Sequence, residues 1–467
     1  MFSHLLLPLR NVLRNRRRTL VTLITLAIGE IAMLLFGGYS NAVVNGVQTG
    51  VVRQAGHLQI QRKNYFSIGT GAPAEYGIAN YNKLMQQLGE DPELKPQIRV
   101  LTPLLQVQGI AGNFGQGVSR TISGNGYIPK EQNVMRVWNE YQFPDHPKPV
   151  ALPEGQTDVV SLGIGVARSL RLCTALNVPN CTDIAVTEKA GSATATSAPD
   201  DIAALAEQES KQQRSSNSSG VRLDVLAAAA NGAPNVINAR VAAAESLGVK
   251  EIDDSYLAMP LEMAQQLVYG RDSNPEVTSI VVQLHSTQQI EQVRARINQL
   301  IKENKWDLEV LDYAELYPAF VQIKGLFTSI FGFVSMLIGV VVLFSVANTM
   351  SAAVMERTVE IGTLRSMGLR RSGIAKQFMT EGFLIGIIGT GIGCALAMLC
   401  AWAINSSGLT WTPPNSIDAI PLVVHVFNSP NLILGSVLGL LILAASSSVL
   451  PAYRAARIPV VEALRHV

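Results

Sequence analysis

Four long apolar stretches stand out along the chain. They cover residues 20–44, 325–353, 382–404 and 432–453, and the second contains no charged residue. A helix of about 20 apolar residues, rising 1.5 Å per residue, crosses the roughly 30 Å hydrocarbon core of a bilayer. A helix also satisfies its own backbone hydrogen bonds, which lipid cannot do. The pattern therefore predicts four transmembrane helices, spans 1 to 4.

The basic residues near the span ends predict the orientation. Arginine and lysine gather in residues 1–19, 354–381 and 454–467, whereas residues 405–431 contain neither. Cytoplasmic loops carry an excess of these residues. We therefore expect a cytoplasmic amphipathic lead-in helix, a cytoplasmic helix between spans 2 and 3, and a cytoplasmic tail. The short loop between spans 3 and 4 and the long segment 45–320 then lie outside.

Span 1 carries one charge, Glu30, near its middle. Its apolar run is longer than the 7–15 residues typical of a signal peptide, so we favour a retained helix over a cleaved one. An ionisable residue at that depth is costly unless it is paired, protonated or facing water. Two hypotheses remain open for Glu30: it faces a membrane cavity in a dimer of chains, or it is a protonated, hydrogen-bonded packing residue.

The outside segment has soluble patterning. Strand–helix–strand patterns at 45–111 and 276–320 predict one split α/β half, although Pro103 interrupts the first of them. Residues 112–275 are richer in glycine and short strands, which predicts an inserted β-rich half. Within them, 188–220 contain very few large apolar residues, so we expect a mobile loop. The predicted fold class is an α-helical membrane protein, with one span before and three after a large α+β domain.

The four cysteines divide by location. Cys394 and Cys400 lie in span 3 and are expected to be small packing residues. Cys173 and Cys181 lie in the outside segment, where an oxidising compartment favours a disulfide over two free thiols.

The composition limits the function. Hydrophobic residues make up 48% of the chain and charged residues 15%, with a net charge of +2. These values exclude a disordered chain and argue against a nucleic-acid-binding protein. The sequence contains no G-x-x-x-x-G-K-[ST], H-E-x-x-H or G-x-S-x-G motif, and its six histidines lack metal-ligand spacing. We therefore expect a non-catalytic chain without a metal or cofactor of its own, and a membrane-anchored enzyme is the weakest hypothesis.

The cytoplasmic segment after span 2 carries the most informative motif. Glu356 and Glu360 lie one helical turn apart, and Ile361, Leu364 and Met367 form an apolar stripe. Such a short amphipathic helix rests on the membrane surface or docks into a groove on a partner protein.

Several motifs in the cytoplasmic segments resemble those of a known protein family. The motif Glu356-Arg357-x-x-Glu360-Ile361-Gly362-x-Leu364-Arg365-x-x-Gly368 resembles the coupling-helix signature of the FtsX/MacB/LolC-LolE superfamily of ABC permeases, also called type VII. The downstream Phe378-x-x-Glu381-Gly382, the basic segment at 10–19 and the closing segment at 451–465 are similar to further motifs of that superfamily. Because the sequence lacks an ATP-binding motif, its layout is most similar to LolC/LolE-type permeases.

The resemblance implies the other subunits of a protein complex in the bacterial inner membrane. Two permease chains, identical or related, pair with a dimer of a separate cytoplasmic ATPase that binds ATP and Mg. By this resemblance, the residues that couple the permease to the ATPase are Glu356, Arg357, Glu360, Ile361, Gly362, Leu364, Arg365 and Gly368. Membrane lipids and a periplasmic carrier or acceptor protein complete the expected partners.

Two functions are compatible with this resemblance. The first is export or extraction of a lipoprotein, lipid or other amphipathic substrate, driven by cytoplasmic ATP hydrolysis and carried out by periplasmic movements. The second is FtsX-like mechanotransmission, which regulates a periplasmic enzyme without moving cargo. The large outside domain favours transport.

Overall fold

The computed structural model describes residues 16–145, 147–178, 181, 220–271, 274–412, 419–460 and 463. Two compact units make up the chain. The helical unit comprises Met1–Val47, Ala319–Trp411 and Pro421–Val467, and the α+β unit comprises Gln48–Pro318 with Thr412–Ile420.

The first described helix, α1 (Arg16–Ala55), belongs to both units. It extends beyond the predicted span 20–44 at both ends, because the hydropathy pattern marks only the apolar part of a helix whose backbone hydrogen bonding continues further. Residues 16–19, assigned to a lead-in helix, are part of α1, and the rest of that predicted helix lies outside the described residues.

The α+β unit alternates short helices with nine strands in the described part of the chain. In chain order they are β1 (Leu58–Arg62), α2 (Tyr81–Glu90), β2 (Ile98–Asn113), β3 (Val118–Tyr127), α3 (Pro129–Arg136), β4 (Val159–Gly163), α4 (Ile164–Ser169), β5 (Arg222–Ala228), β6 (Pro234–Glu245), α5 (Lys250–Asp253), β7 (Tyr256–Pro260), α6 (Leu261–Tyr269), β8 (Ser279–Leu284), α7 (Ile290–Glu303), β9 (Leu308–Asp312) and α8 (Tyr313–Leu316).

The strands form one sheet in the order β3-β7-β4-β6-β5-β2-β8-β1-β9, and β3 also pairs with β2. Strands β2, β3, β7, β4, β6 and β5 therefore close into a ring, and β8, β1 and β9 extend from β2. Since a closed ring has no free edge, it removes the unpaired backbone groups that edge strands expose. The predicted mobile loop at 188–220 lies outside the described residues apart from Gly220.

Strand β2 corrects the predicted division of this unit. We placed the boundary between the two halves at residue 111, but β2 belongs to both: Ile98–Leu104 pairs with β8, and Leu104–Asn113 pairs with β3. Pro103 does not interrupt the strand. Because β3 pairs with β2 only from Leu104 onward, β2 is paired on one side at Pro103, where a proline without an N–H is tolerated.

The helical unit continues with α9 (Pro318–Glu356), α10 (Thr358–Ser366), α11 (Arg371–Ser406) and α12 (Pro430–Arg457). The two-residue strands β10 (Thr410–Trp411) and β11 (Ile420–Pro421) lie between α11 and α12. Among the described residues, four helices are long and apolar enough to cross a membrane: α1, α9, α11 and α12. One of them precedes the strands of the α+β unit and three follow.

Glycines allow the helices of this unit to approach closely. A Cβ added at Gly389 would lie 2.7 Å from Cβ of Leu26, and one at Gly393 would lie 2.8 Å from the carbonyl oxygen of Ala27. Small residues permit such contacts between membrane helices. The adjoining core consists of Leu26, Val342, Val346, Met350, Ile385, Leu440 and Ala444.

Candidate functional site

The candidate site is the segment that connects α9 to α11. Helix α9 ends at Glu356, and Arg357 leaves the helical conformation with φ −109° and ψ 18°. Helix α10 then runs for only nine residues. The predicted coupling helix at 354–381 is therefore wrong in its bounds, because its first residues belong to α9 and its last eleven to α11.

Gly368 ends α10. It has φ +94°, in the left-handed region that glycine adopts without a steric cost. The amide of Gly368 donates to the carbonyl of Arg365, and the amide of Leu369 donates to the carbonyl of Leu364, both at 3.1 Å. This pair of bonds is a Schellman motif, which satisfies carbonyls at a helix C-terminus. Gly368 thus sets the length of α10.

Arg357 faces the protein interior. Its Nη1 donates to both carboxylate oxygens of Glu381 on α11, at 3.1 and 3.3 Å. Both residues are buried, with 8% of Arg357 and 3% of Glu381 exposed. A buried charge is costly unless it is paired and hydrogen-bonded, so each residue requires the other. Arg357 is therefore held by its own chain.

A small apolar core supports this pair. Ile361 of α10 packs with Val354, Ile374, Phe378, Ala452 and Ala455. Gly362 is also buried, Leu364 is half-buried, and Nη1 of Arg365 donates to the carbonyl of Ile458. Four predicted coupling residues thus hold α10 against neighbouring segments of the same chain.

The opposite side of this segment is exposed. Glu356 forms an exposed ion pair with Arg18 of α1, and Glu360 is exposed. Apolar side chains accompany them: 77% of Met355, 46% of Val359 and 71% of Met367 are exposed. The predicted stripe is therefore split, because α10 ends at Ser366 and Met367 no longer follows the helical spacing that Ile361 obeys.

Sequence reasoning grouped these residues into one segment but did not separate its buried side from its exposed side. Met355 and Val359 had no role in the prediction, and Glu381 entered only as part of a family motif. No local spacing could have paired Arg357 with Glu381, since they are 24 residues apart.

Glu30, for which two hypotheses are open, lies inside the helical unit. It is fully buried among helices of its own chain, and Ser436 Oγ of α12 donates to its Oε1 at 2.7 Å. A Cβ added at Gly393 would lie 2.6 Å from Cβ of Glu30, so the missing side chain of Gly393 makes room for it. The environment is that of a hydrogen-bonded packing residue.

The outside cysteines Cys173 and Cys181 form a disulfide in the structure, and Cys394 and Cys400 are free thiols in α11. Among the described residues, no group of three or more His, Cys, Asp or Glu side chains could hold a metal ion.

Comparison with known proteins finds a family that matches part of the helical unit. The family described as FtsX-like permease C-terminal matches residues 330–460. The chain is 28% identical over 229 residues to the macrolide export ATP-binding/permease protein MacB of Nitrobacter winogradskyi, an alignment that covers 47% of this chain and 32% of that protein. It is 27% identical over 213 residues to the pyoverdine export ATP-binding/permease protein PvdT of Pseudomonas syringae pv. syringae, covering 45% and 30%.

A third relative, described as an uncharacterized ABC transporter permease, is YknZ of Bacillus subtilis, 26% identical over 230 residues, covering 47% of this chain and 51% of that protein. The chain spans about a third of the length of its MacB and PvdT relatives. The resemblance to FtsX/MacB-type permeases is confirmed. The greater similarity to LolC/LolE-type permeases stays a prediction.

Proposed function

We propose that this FtsX/MacB-type ABC permease is the membrane subunit of an ATP-driven complex in the bacterial inner membrane. In this proposal a dimer of a separate ATPase binds ATP and Mg in the cytoplasm, and a second permease chain completes the complex. Movements of the α+β unit in the periplasm then export or extract an amphipathic substrate, such as a lipid or lipoprotein. Two of the three named relatives, MacB and PvdT, are described as export proteins, which favours transport over regulation of a periplasmic enzyme.

The observation that carries the proposal is the two-sided coupling segment. Its inner side is held by the Arg357–Glu381 pair and the core around Ile361. Its outer side exposes Met355, Val359 and Met367 beside acidic residues. Exposed apolar side chains on a fixed short helix suit docking into a groove of a partner protein, with the charges contributing orientation.

Affinity purification through this chain in native lipid tests the proposal. We expect a small P-loop ATPase to co-purify with the wild-type chain, together with a lipid, lipoprotein or periplasmic carrier. Glu360→Lys should remove most of the ATPase, whereas Glu303→Lys, the same charge change on an exposed glutamate of α7, should not. An ATPase that co-purifies with a cell-wall enzyme and without cargo would support mechanotransmission instead. An intact wild-type complex without any ATPase would contradict both functions.

A further inference from the structure

Two methionines are the most exposed apolar side chains of the coupling segment. In residues 354–369, all of which the structure describes, four large apolar side chains are exposed: Met355 at 77%, Val359 at 46%, Met367 at 71% and Leu369 at 40%. Met355 precedes the first residue of α10 by three positions, and Met367 directly follows its last residue. The two thioethers therefore lie at opposite ends of this short helix.

Exposure determines which methionine sulfurs a dissolved oxidant reaches. With hydrogen peroxide, an S–O bond forms as the O–O bond breaks, the sulfur loses two electrons to become a sulfoxide, and water leaves. Met350, on the same helix as Met355, is 1% exposed, and Met135 and Met259 of the α+β unit are 0% exposed. In the folded chain the oxidant therefore reaches the methionines of the coupling segment before these three.

Neither methionine supports the fold of the segment. The apolar core around Ile361 contains neither Met355 nor Met367. Val354, the neighbour of Met355, is 6% exposed and packs in that core, so the inner side of the segment is filled without the two sulfurs. Oxidation at these positions therefore adds a polar oxygen to the outer side and leaves the buried side unchanged. A sulfoxide at Met350 would instead place that oxygen in the core of the helical unit.

A sulfoxide changes what the outer side can bind. Its oxygen accepts hydrogen bonds, and the group has no hydrogen to donate. The exposed side chains beside it include Glu356 and Glu360, which are acceptors only when ionised and so cannot satisfy it. Water hydrates the sulfoxide in the free chain, but an apolar groove removes that water without replacing its hydrogen bonds, which is costly. Oxidation therefore favours the undocked state.

We propose that Met355 and Met367 form a reversible oxidation site, and that their sulfoxides weaken docking of the ATPase. This inference rests on the proposed function, because it takes the outer side of the coupling segment as the surface that binds the ATPase. Hydrogen peroxide is the oxidant, and methionine sulfoxide reductases restore the thioethers. A docked ATPase covers both sulfurs, so the free permease is the form that is oxidised.

Peptide mass spectrometry tests the oxidation site without the ATPase. The purified full-length permease in native lipid is exposed to increasing concentrations of hydrogen peroxide and then digested. We expect one added oxygen atom on Met355 and on Met367 at concentrations that leave Met350 and Met259 unoxidised. Equal oxidation of all four residues in the folded chain would overturn the site, because exposure would then not control the reaction.

A binding assay with the co-purifying ATPase tests the consequence. Peroxide treatment should lower the affinity of the wild-type permease by about tenfold or more, and methionine sulfoxide reductases A and B should restore it. The double variant Met355→Leu/Met367→Leu has no sulfur at either position, so the ratio of its treated to its untreated affinity should stay near one.

Two results in this assay would overturn the inference and leave the proposed function intact. The first is an unchanged affinity of the oxidised wild-type permease. The second is an equal loss of affinity in the treated double variant, since the oxidation that matters would then lie elsewhere. An untreated wild-type permease that binds no ATPase would contradict the proposed function, and this inference with it.

Discussion

The buried pair of Arg357 and Glu381 gives the sharpest prediction about the coupling segment. Replacing Arg357 by methionine leaves the carboxylate of Glu381 in a site that is 3% exposed. Removing one partner of a buried ion pair typically costs about 3–5 kcal/mol, because the other charge remains desolvated and unpaired. We therefore expect Arg357→Met to raise the unfolding equilibrium constant by roughly 10²- to 10⁴-fold.

The double variant Arg357→Met/Glu381→Leu should recover much of this loss. It removes both charges, and apolar replacements of a buried pair are often neutral. The measurement is reversible unfolding of the purified chain in mixed micelles for wild type, both single variants and the double variant. A double-mutant cycle then gives the coupling free energy between the two positions.

Two results would refute this reasoning. The first is a double variant whose loss equals the sum of the single losses, since the residues would then not interact. The second is an Arg357→Met protein of wild-type stability that no longer binds the ATPase. Arg357 would then be a docking contact, as the family resemblance implied, and its burial in the free chain would be irrelevant to its role.

Three further predictions follow from single positions. Gly368→Ala forces a Cβ into a residue with φ +94°, so we expect about 1–2 kcal/mol of destabilisation in the same unfolding assay. Gly325→Ala, in open space inside α9, should instead be neutral or stabilise the chain by up to about 1 kcal/mol, because alanine has the higher helix propensity. Glu30→Gln keeps an acceptor for Ser436 and should leave assembly and export near wild type; lost export from a normally assembled complex would show a role beyond packing. Burial lowers the pKa of His57 from 6.5 to about 4. Below pH 6.5 the imidazole of His57 is therefore protonated in the unfolded chain, whereas in the folded chain it stays neutral down to about pH 4. As the pH falls through this window, folding stability should decrease by about 1.4 kcal/mol per pH unit. Trp138 fluorescence can follow this unfolding, since its ring centroid lies 4.9 Å from that of His57, and His57→Asn should flatten the pH dependence.

The sequence predicts the four apolar helices well, because each apolar run is too long for an ordinary buried helix of a soluble protein. It predicts their ends poorly. Helix α9 begins at Pro318 and ends at Glu356, several residues outside the predicted span at 325–353, since polar and charged residues continue a helix that hydropathy no longer marks.

The sheet of the α+β unit was only partly predictable. Alternating patterns locate β1, β2, β8 and β9, but the ring closes through the parallel pairs β3–β7 and β4–β6, which join residues more than 75 positions apart. Local periodicity contains no information about such pairing. The same limit applies to the coupling segment: the motif names Arg357 and Glu360 together, and only the structure shows that Arg357 is buried and Glu360 exposed.

Site-specific photo-crosslinking tests the central claim most directly. A photoreactive amino acid is placed at Val359, which is 46% exposed, or at Ile361, which is 3% exposed, on the same helix two residues away. The account predicts a crosslink to a P-loop ATPase from position 359 and none from position 361 in the folded protein. A crosslink from 361 alone, or no ATPase from 359 in an active complex, would contradict it.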